Sequence, residues 1–281
     1  MKSKLRIDTS ILMLVIGLLC VFILRTLLAR ITNPPRLDDI FIGVAVSGSV
    51  VMLIKGYRCL RPPDWIMAAV LGVVVGISMY FATLFSPYPF WWIIRGHAGQ
   101  AVARGSYVFL AALGGLVIMR MGGPVLFRAA RGEWRKSGVS IALGLAIGLP
   151  LAVLNVFALQ MSQGKAIAWQ NPLAAFGDAL QPGIVEEVVY RFALLGLFWL
   201  VLRKSLPTQA PWLAGVLVLL VHNYSHFDEL FLQAPLAALG MGLVMAVIWG
   251  LPLTILALRR DLDSAMAFHW LQDVTRFLSG F

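Results

Sequence analysis

Glu186 and Glu187 sit in the stretch Gln181-Pro-Gly-Ile-Val-Glu-Glu-Val-Val-Tyr-Arg191, a histidine pair follows at His222 and His226, and His269, Asp273 and Arg276 come last, at helical spacing. Carboxylates and imidazoles take and return protons near neutral pH, so a group of this composition could activate a water for hydrolysis. Pro182-Gly183 predicts a helix start and puts both glutamates in its first turns, where the helix dipole favours anions. Adjacent residues diverge by about 100° on a helix, so Glu186 and Glu187 point apart, whereas Glu187 and Arg191, at i,i+4, share a face. Glu187 is then expected to be Arg191's ion-pair partner, and Glu186 is expected to lack a local counter-charge, as suits a general base. His222 and His226 are also i,i+4 and with Glu186 offer a His/His/Glu set that could ligate a metal; a single histidine reads rather as a packing residue hydrogen-bonded to backbone. The same spacing lets Asp273 orient His269 through a ring N–H, with Arg276 as its ion-pair partner.

These polar residues stand in a chain of 281 residues that is 60% hydrophobic and 13% charged, with a mean hydropathy of +0.85. Soluble domains are about 45–50% apolar and about 25% charged, so the composition excludes a soluble, disordered or nucleic-acid-binding protein. Ionisable side chains in a bilayer are costly and mark functional sites. Those within apolar runs fall almost wholly after residue 180, and the first half is expected to hold very few.

Apolar runs at 10–30, 40–54, 65–85, 106–119, 139–161, 184–202, 211–226, 235–258 and 262–280 predict an all-α polytopic transmembrane bundle of about eight or nine helices, with the active site inside it. The whole chain, 1–281, reads as one integral membrane domain. Spans in 1–170 support it and spans in 171–281 carry the chemistry. Lys2, Lys4 and Arg6 precede the first run, which lacks a small-residue cleavage site and is expected to stay as a span. With the N-terminus in the cytoplasm, most of the 23 cations fall in cytoplasmic loops, while Arg30, Arg36, Arg95, Arg104 and Lys165 fall outside. The net charge of +10 is therefore a topological signature. Pro87 to Arg95, rich in aromatics, predicts an interfacial helix or turn, and the stretch from Arg120 to Lys136, with five cations around Trp134, is expected to rest on anionic headgroups. Cys20 and Cys59 suggest neither a disulfide nor a zinc site.

Glu-Glu-x-x-x-Arg at 186–191, a histidine at the end of the next span and His-x-x-x-Asp at 269–273 together resemble the CPBP family, intramembrane glutamic endopeptidases named for CAAX-protein and bacteriocin processing. The resemblance covers about 180–275. It implies a helical intramembrane protease without a cofactor, in which a glutamate and a histidine activate water while a second histidine and an asparagine stabilise the oxyanion. By position Glu186 would be the base, Glu187 with Arg191 the supporting pair, His226 the water partner, and His269 with Asp273 the oxyanion side. Two positions depart from the family. His222 stands where the second motif has Phe, which leaves the choice between His222 and His226 open. Asp273 replaces the last motif's Asn, and an ionised aspartate cannot donate to an oxyanion, so its expected task is to hold His269.

The expected partners are a membrane-associated protein or peptide substrate and the bilayer, and the expected location is a bacterial cytoplasmic membrane. A proton-coupled transporter and a non-catalytic immunity or scaffold protein of the same fold are the competing classes. The first would use the same buried groups as a relay.

Overall fold

The computed structural model describes residues 9–28, 35–86 and 88–281. Lys2, Lys4, Arg6 and Arg30, used above to orient the chain, and Pro87 of the aromatic segment lie outside the described residues. Within them the chain is all helical, without a strand. The N-terminal part runs through α1 (Thr9–Leu28), α2 (Leu37–Gly56), α3 (Pro62–Tyr80), α4 (Gly96–Arg120) and α5 (Trp134–Gln163). The short α6 (Pro172–Asp178) leads into α7 (180–202), whose middle, Glu187–Leu194, is π-helical. Next come α8 (Ala210–Ser225), the short α9 (Asp228–Gln233), α10 (235–259), with a π-helical stretch at Ala246–Gly250, and α11 (Leu262–Leu278).

Backbone groups in lipid must be satisfied within their own segment, which is why such apolar runs become helices. Among the described residues six helices, α1 to α5 and α10, are long and apolar enough to cross a membrane, so this is a multi-pass membrane protein. Helix α8 is apolar but shorter. Helices α7 and α11 also fall on expected runs; α7 is set apart from those six by Glu186, Glu187 and Arg191, and α11 by its 17-residue length.

Helix α7 occupies the centre, packed by α2, α4, α8 and α11. Val188, Val189, Tyr190, Arg191 and Leu194 are all buried there. Close approach of the outer helices depends on small residues, the usual means of packing in lipid. A Cβ at Gly72 of α3 would lie 2.7 Å from the Gly105 carbonyl oxygen of α4, and the reverse also holds. On α5, Gly144 abuts the Ser264 carbonyl of α11, and the Gly148 carbonyl accepts the Gln272 side-chain amide at 2.8 Å. Loop charges tie one end of the bundle: Asp64 pairs with Arg120 at 2.7 Å, and Asp261, the N-cap of α11, pairs with Arg128 at 2.5 Å. At the other end Asp178 accepts the backbone N–H groups of Thr83, Leu84 and Phe85.

The structure corrects the reading of the first half in two respects. Helix α4 begins ten residues before the expected 106, at Gly96, and Arg104 is a buried helical residue rather than an outer-loop cation. Its guanidinium donates to Gln100 and Tyr107 one turn away on the same helix, which makes the charge tolerable. The first half also carries more ionisable groups in its helices than expected: Asp38 and Asp39 open α2, Asp64 opens α3, and Asp39 and Asp64 are buried. Each has a distant partner, which lowers the cost of burial. The aromatic segment is a tight turn, with Trp91 and Trp92 at φ 51° and 54°. It folds back onto α2, where Asp39 accepts the Trp91 N–H at 3.1 Å and Arg36 lies 3.7 Å over the Tyr88 ring.

Candidate active site

Helices α7, α8 and α11 bring the candidate residues to one place. Glu186 Oε2 lies 2.6 Å from His222 Nε2 and 3.5 Å from His269 Nε2. Glu187 Oε1 lies 3.1 Å from an Arg191 guanidinium nitrogen and 2.8 Å from His269 Nδ1. His269 Nε2 is 3.3 Å from Asp273, which also accepts from Arg276 at 2.7 and 3.0 Å. The ion pairs expected for Glu187 and Asp273 are therefore present. Glu187 has a second partner that its own helix could not reveal, the imidazole of α11.

Glu186 is not the unpaired carboxylate expected from its helix. Its partner is His222, one of the two histidines between which the sequence left the choice open, and the far side of that ring explains why. His222 Nδ1 lies 2.7 Å from Arg191, and a guanidinium only donates. Nδ1 must therefore accept, the proton must sit on Nε2, and His222 is a neutral imidazole donating to an ionised Glu186. Tyr190 fixes the ring from one side, stacked at 4.5 Å between centroids, and its hydroxyl donates to Asp38 of α2. Both nitrogens of His269 face carboxylate oxygens, a geometry that only an imidazolium satisfies by donating from both. Three carboxylates are thus matched by Arg191, Arg276 and one imidazolium, which makes so polar a cluster tolerable inside a bundle.

His226 stands one turn beyond His222 at the end of α8 and is exposed. A nitrogen of its ring, a nitrogen of His222 and an oxygen of Glu186 lie within 4.8 Å of one another. The three residues line a cavity of about 240 Å³ together with His269, Asp273 and Asn223. A second cavity, of about 280 Å³, reaches Glu186 and His226 from the α2 side, past Asp38 and Arg104. Among the described residues, Arg191 Nη2 and Trp249 Nε1 are buried at the cluster without a hydrogen-bond partner, so the first cavity suits a polar occupant.

Tyr190, Asp38 and Asn223 were not singled out by the sequence. Tyr190 lies inside the Glu-Glu-x-x-x-Arg stretch, but its partner is 152 positions away. Asn223 approaches Gly250 so closely that a Cβ there would collide with its side-chain amide; the π-helical turn of α10 makes that approach.

A multi-pass helical bundle with a carboxylate, two histidines and supporting ion pairs gathered at a buried cavity has the makings of a membrane-embedded hydrolase. Residues 168–275 match the family model described as Rce1-like, type II CAAX prenyl endopeptidase, and this stretch is the Rce1-like (CPBP) domain of the chain. The family is one of proteases, which implies a peptide hydrolase with a protein substrate. No curated protein matches the chain, and no solved structure does.

Proposed function

We propose that the protein is a glutamic intramembrane endopeptidase that cuts a peptide bond in a membrane-associated protein or peptide. The observation that carries this reading is the Arg191–His222–Glu186 relay: Arg191 fixes the tautomer of His222, and His222 holds Glu186 ionised at the cavity wall. Glu186 takes a proton from a water between itself and His226, since two hydrogen bonds of about 2.8 Å through one water span such a separation. The water oxygen bonds to the scissile carbonyl carbon, and the His269 imidazolium offsets the charge growing on the carbonyl oxygen. Glu186 then passes its proton to the amide nitrogen as the C–N bond breaks, which leaves a carboxyl product and an amine. Asp273, paired with Arg276, acts by orienting His269.

A metal at Glu186, His222 and His226 does not fit the hydrogen bonding. Ligation through His222 Nε2 would move its proton to Nδ1, which already faces a guanidinium that cannot accept. The cationic end of the bundle, with Arg128, Arg131, Arg135 and Lys136, reads as the cytoplasmic end by the distribution of its charges.

The test is comparative proteomics of a deletion strain complemented with wild type, Glu186→Gln or His222→Ala, scoring new protein termini. Both variants are expected to accumulate in membranes and to lose processing by about 10²-fold or more. Full processing by Glu186→Gln would overturn the reading. Chelators are expected to leave the rate of the purified protein unchanged.

A further inference from the structure

Helix α3 packs on α4 and α7, and α5 packs on α11, which leaves a gap between α3 and α5. The gap is a cavity of about 870 Å³, within the size of sites that hold a small-molecule ligand, about 300–1,000 Å³. Its sides are apolar: Ile66 and Val70 of α3 and Ile141 of α5 line it and are also exposed on the outer face. Its floor is the back of the helices that carry the candidate site, with Ile184 two residues before Glu186 and Trp270 next to His269 in sequence.

One end of this gap is cationic. Gly132, at φ 75°, turns the chain into α5, and Gly132 and Trp134 line the mouth. Arg131, Arg135 and Lys136 beside them are exposed, as is Arg61 just before α3. Glu133 is the acid among them, within 3.0 Å of Arg128, Arg131 and Lys136. The Lys136 hydrogen bond, then the nearby Arg131 and Arg128, hold its carboxyl below the usual range. The other acids at this end, Asp64, Asp261 and Asp263, are buried; Asp64 is taken up by Arg120 and the Arg61 N–H, and Asp261 and Asp263 by Arg128, Ser137, Ser140 and backbone N–H groups. Trp134 is 64% exposed, as suits an indole at the headgroup level.

We propose that the gap between α3 and α5 binds one anionic glycerophospholipid of the surrounding membrane, with its acyl chains between the helices and its headgroup on Arg131, Arg135 and Lys136. Charge complementarity selects this occupant. An uncharged hydrocarbon chain would fill the gap equally well but would make no use of the cations at its mouth. Each Lys or Arg near a headgroup contributes about 1 kcal/mol, a factor of about five in affinity. The proposal does not depend on the reaction, and its test reads binding alone.

Full-length protein in phosphatidylcholine vesicles is titrated with phosphatidylglycerol brominated in its acyl chains, and tryptophan fluorescence is recorded for wild type and for Trp134→Phe. The difference signal, which isolates Trp134, is expected to be quenched at low mole fraction of the anionic lipid and to recover in high salt. The Arg131→Gln, Arg135→Gln, Lys136→Gln triple variant is expected to need at least about tenfold more of it. Gly138→Leu, which narrows the gap from a position where a Cβ meets nothing, is expected to raise the required fraction with the cations intact. Equal quenching by brominated phosphatidylcholine, or an unchanged curve in the triple variant, would mean ordinary lipid solvation and would overturn the proposal. Displacement of the bound lipid by a prenylated peptide, one for one, would also overturn it by assigning the gap to substrate.

Discussion

Asp273 is the residue where this chain differs most informatively from the family its C-terminal region matches. Paired with Arg276, it can as a carboxylate only accept, and in the proposed mechanism it steadies His269. An amide in its place would still accept the His269 N–H through its oxygen and would add a donor. Arg276, whose side chain is 33% exposed, could turn to water. Asp273→Asn is therefore expected to change processing by at most about tenfold, the scale of one ordinary hydrogen bond, and Asp273→Leu to abolish it; a substrate-cleavage time course separates the two. Glu187 presents the opposite case. Its carboxylate and the Arg191 side chain are 0% and 1% exposed, and it also holds the His269 ring. Glu187→Gln leaves Arg191 without its counter-charge and takes one of three carboxylates from His269, a loss of about 3–5 kcal/mol when one partner of a buried pair is removed. The expected result is a lowered melting temperature in detergent and poor accumulation, well before any question of catalysis.

At the scale of elements, the candidate site depends on how deeply α5 lets α11 settle. Gly144 touches the Ser264 carbonyl, and His269 lies little more than a turn further along α11. Gly144→Leu is expected to push the helices apart, to cost about 1–3 kcal/mol or more by overpacking, and to lower kcat by loosening the 3.5 Å approach of His269 to Glu186. Gly240→Ala on α10, where a Cβ meets nothing, serves as the control, and thermal melts with cleavage rates decide between them. The sequence revealed α1, α3, α5 and α10 because twenty or so apolar residues in a row have few other uses. It hid the first turns of α2 and α4, where Asp38, Asp39 and Arg104 read as loop residues. For Arg104 the partners Gln100 and Tyr107 were within reach of helical arithmetic, whereas for Asp39 the partner is the far-off backbone of Trp91. The site divides in the same way. Glu187–Arg191 and His269–Asp273–Arg276 follow from spacing on single helices. The pairing of Glu186 with His222 does not, because His222 and His226 share a face and only the packing of α8 against α7 distinguishes them.

For the molecule as a whole, the N-terminal helices do more than occupy lipid. In water their loss would expose apolar surface on α7, but in a bilayer Val188, Val189 and Leu194 would meet acyl chains at little cost. What lipid cannot replace is polar contact. Without α2, the Tyr190 hydroxyl loses Asp38, and the ring that steadies His222 loses its anchor. A fragment of residues 168–281, which contains the whole family match and every candidate catalytic residue, is thus expected to be degraded and to process nothing. Because the ties between the two parts are contacts of packed helices, a cut in the linker after α5 is expected to be tolerated, and co-expression of 1–167 with 168–281 to restore both accumulation and cleavage. Immunoblots of membranes beside a cleavage assay make the comparison. An active fragment 168–281 on its own would show that the polar cluster holds its geometry without α2 and α4.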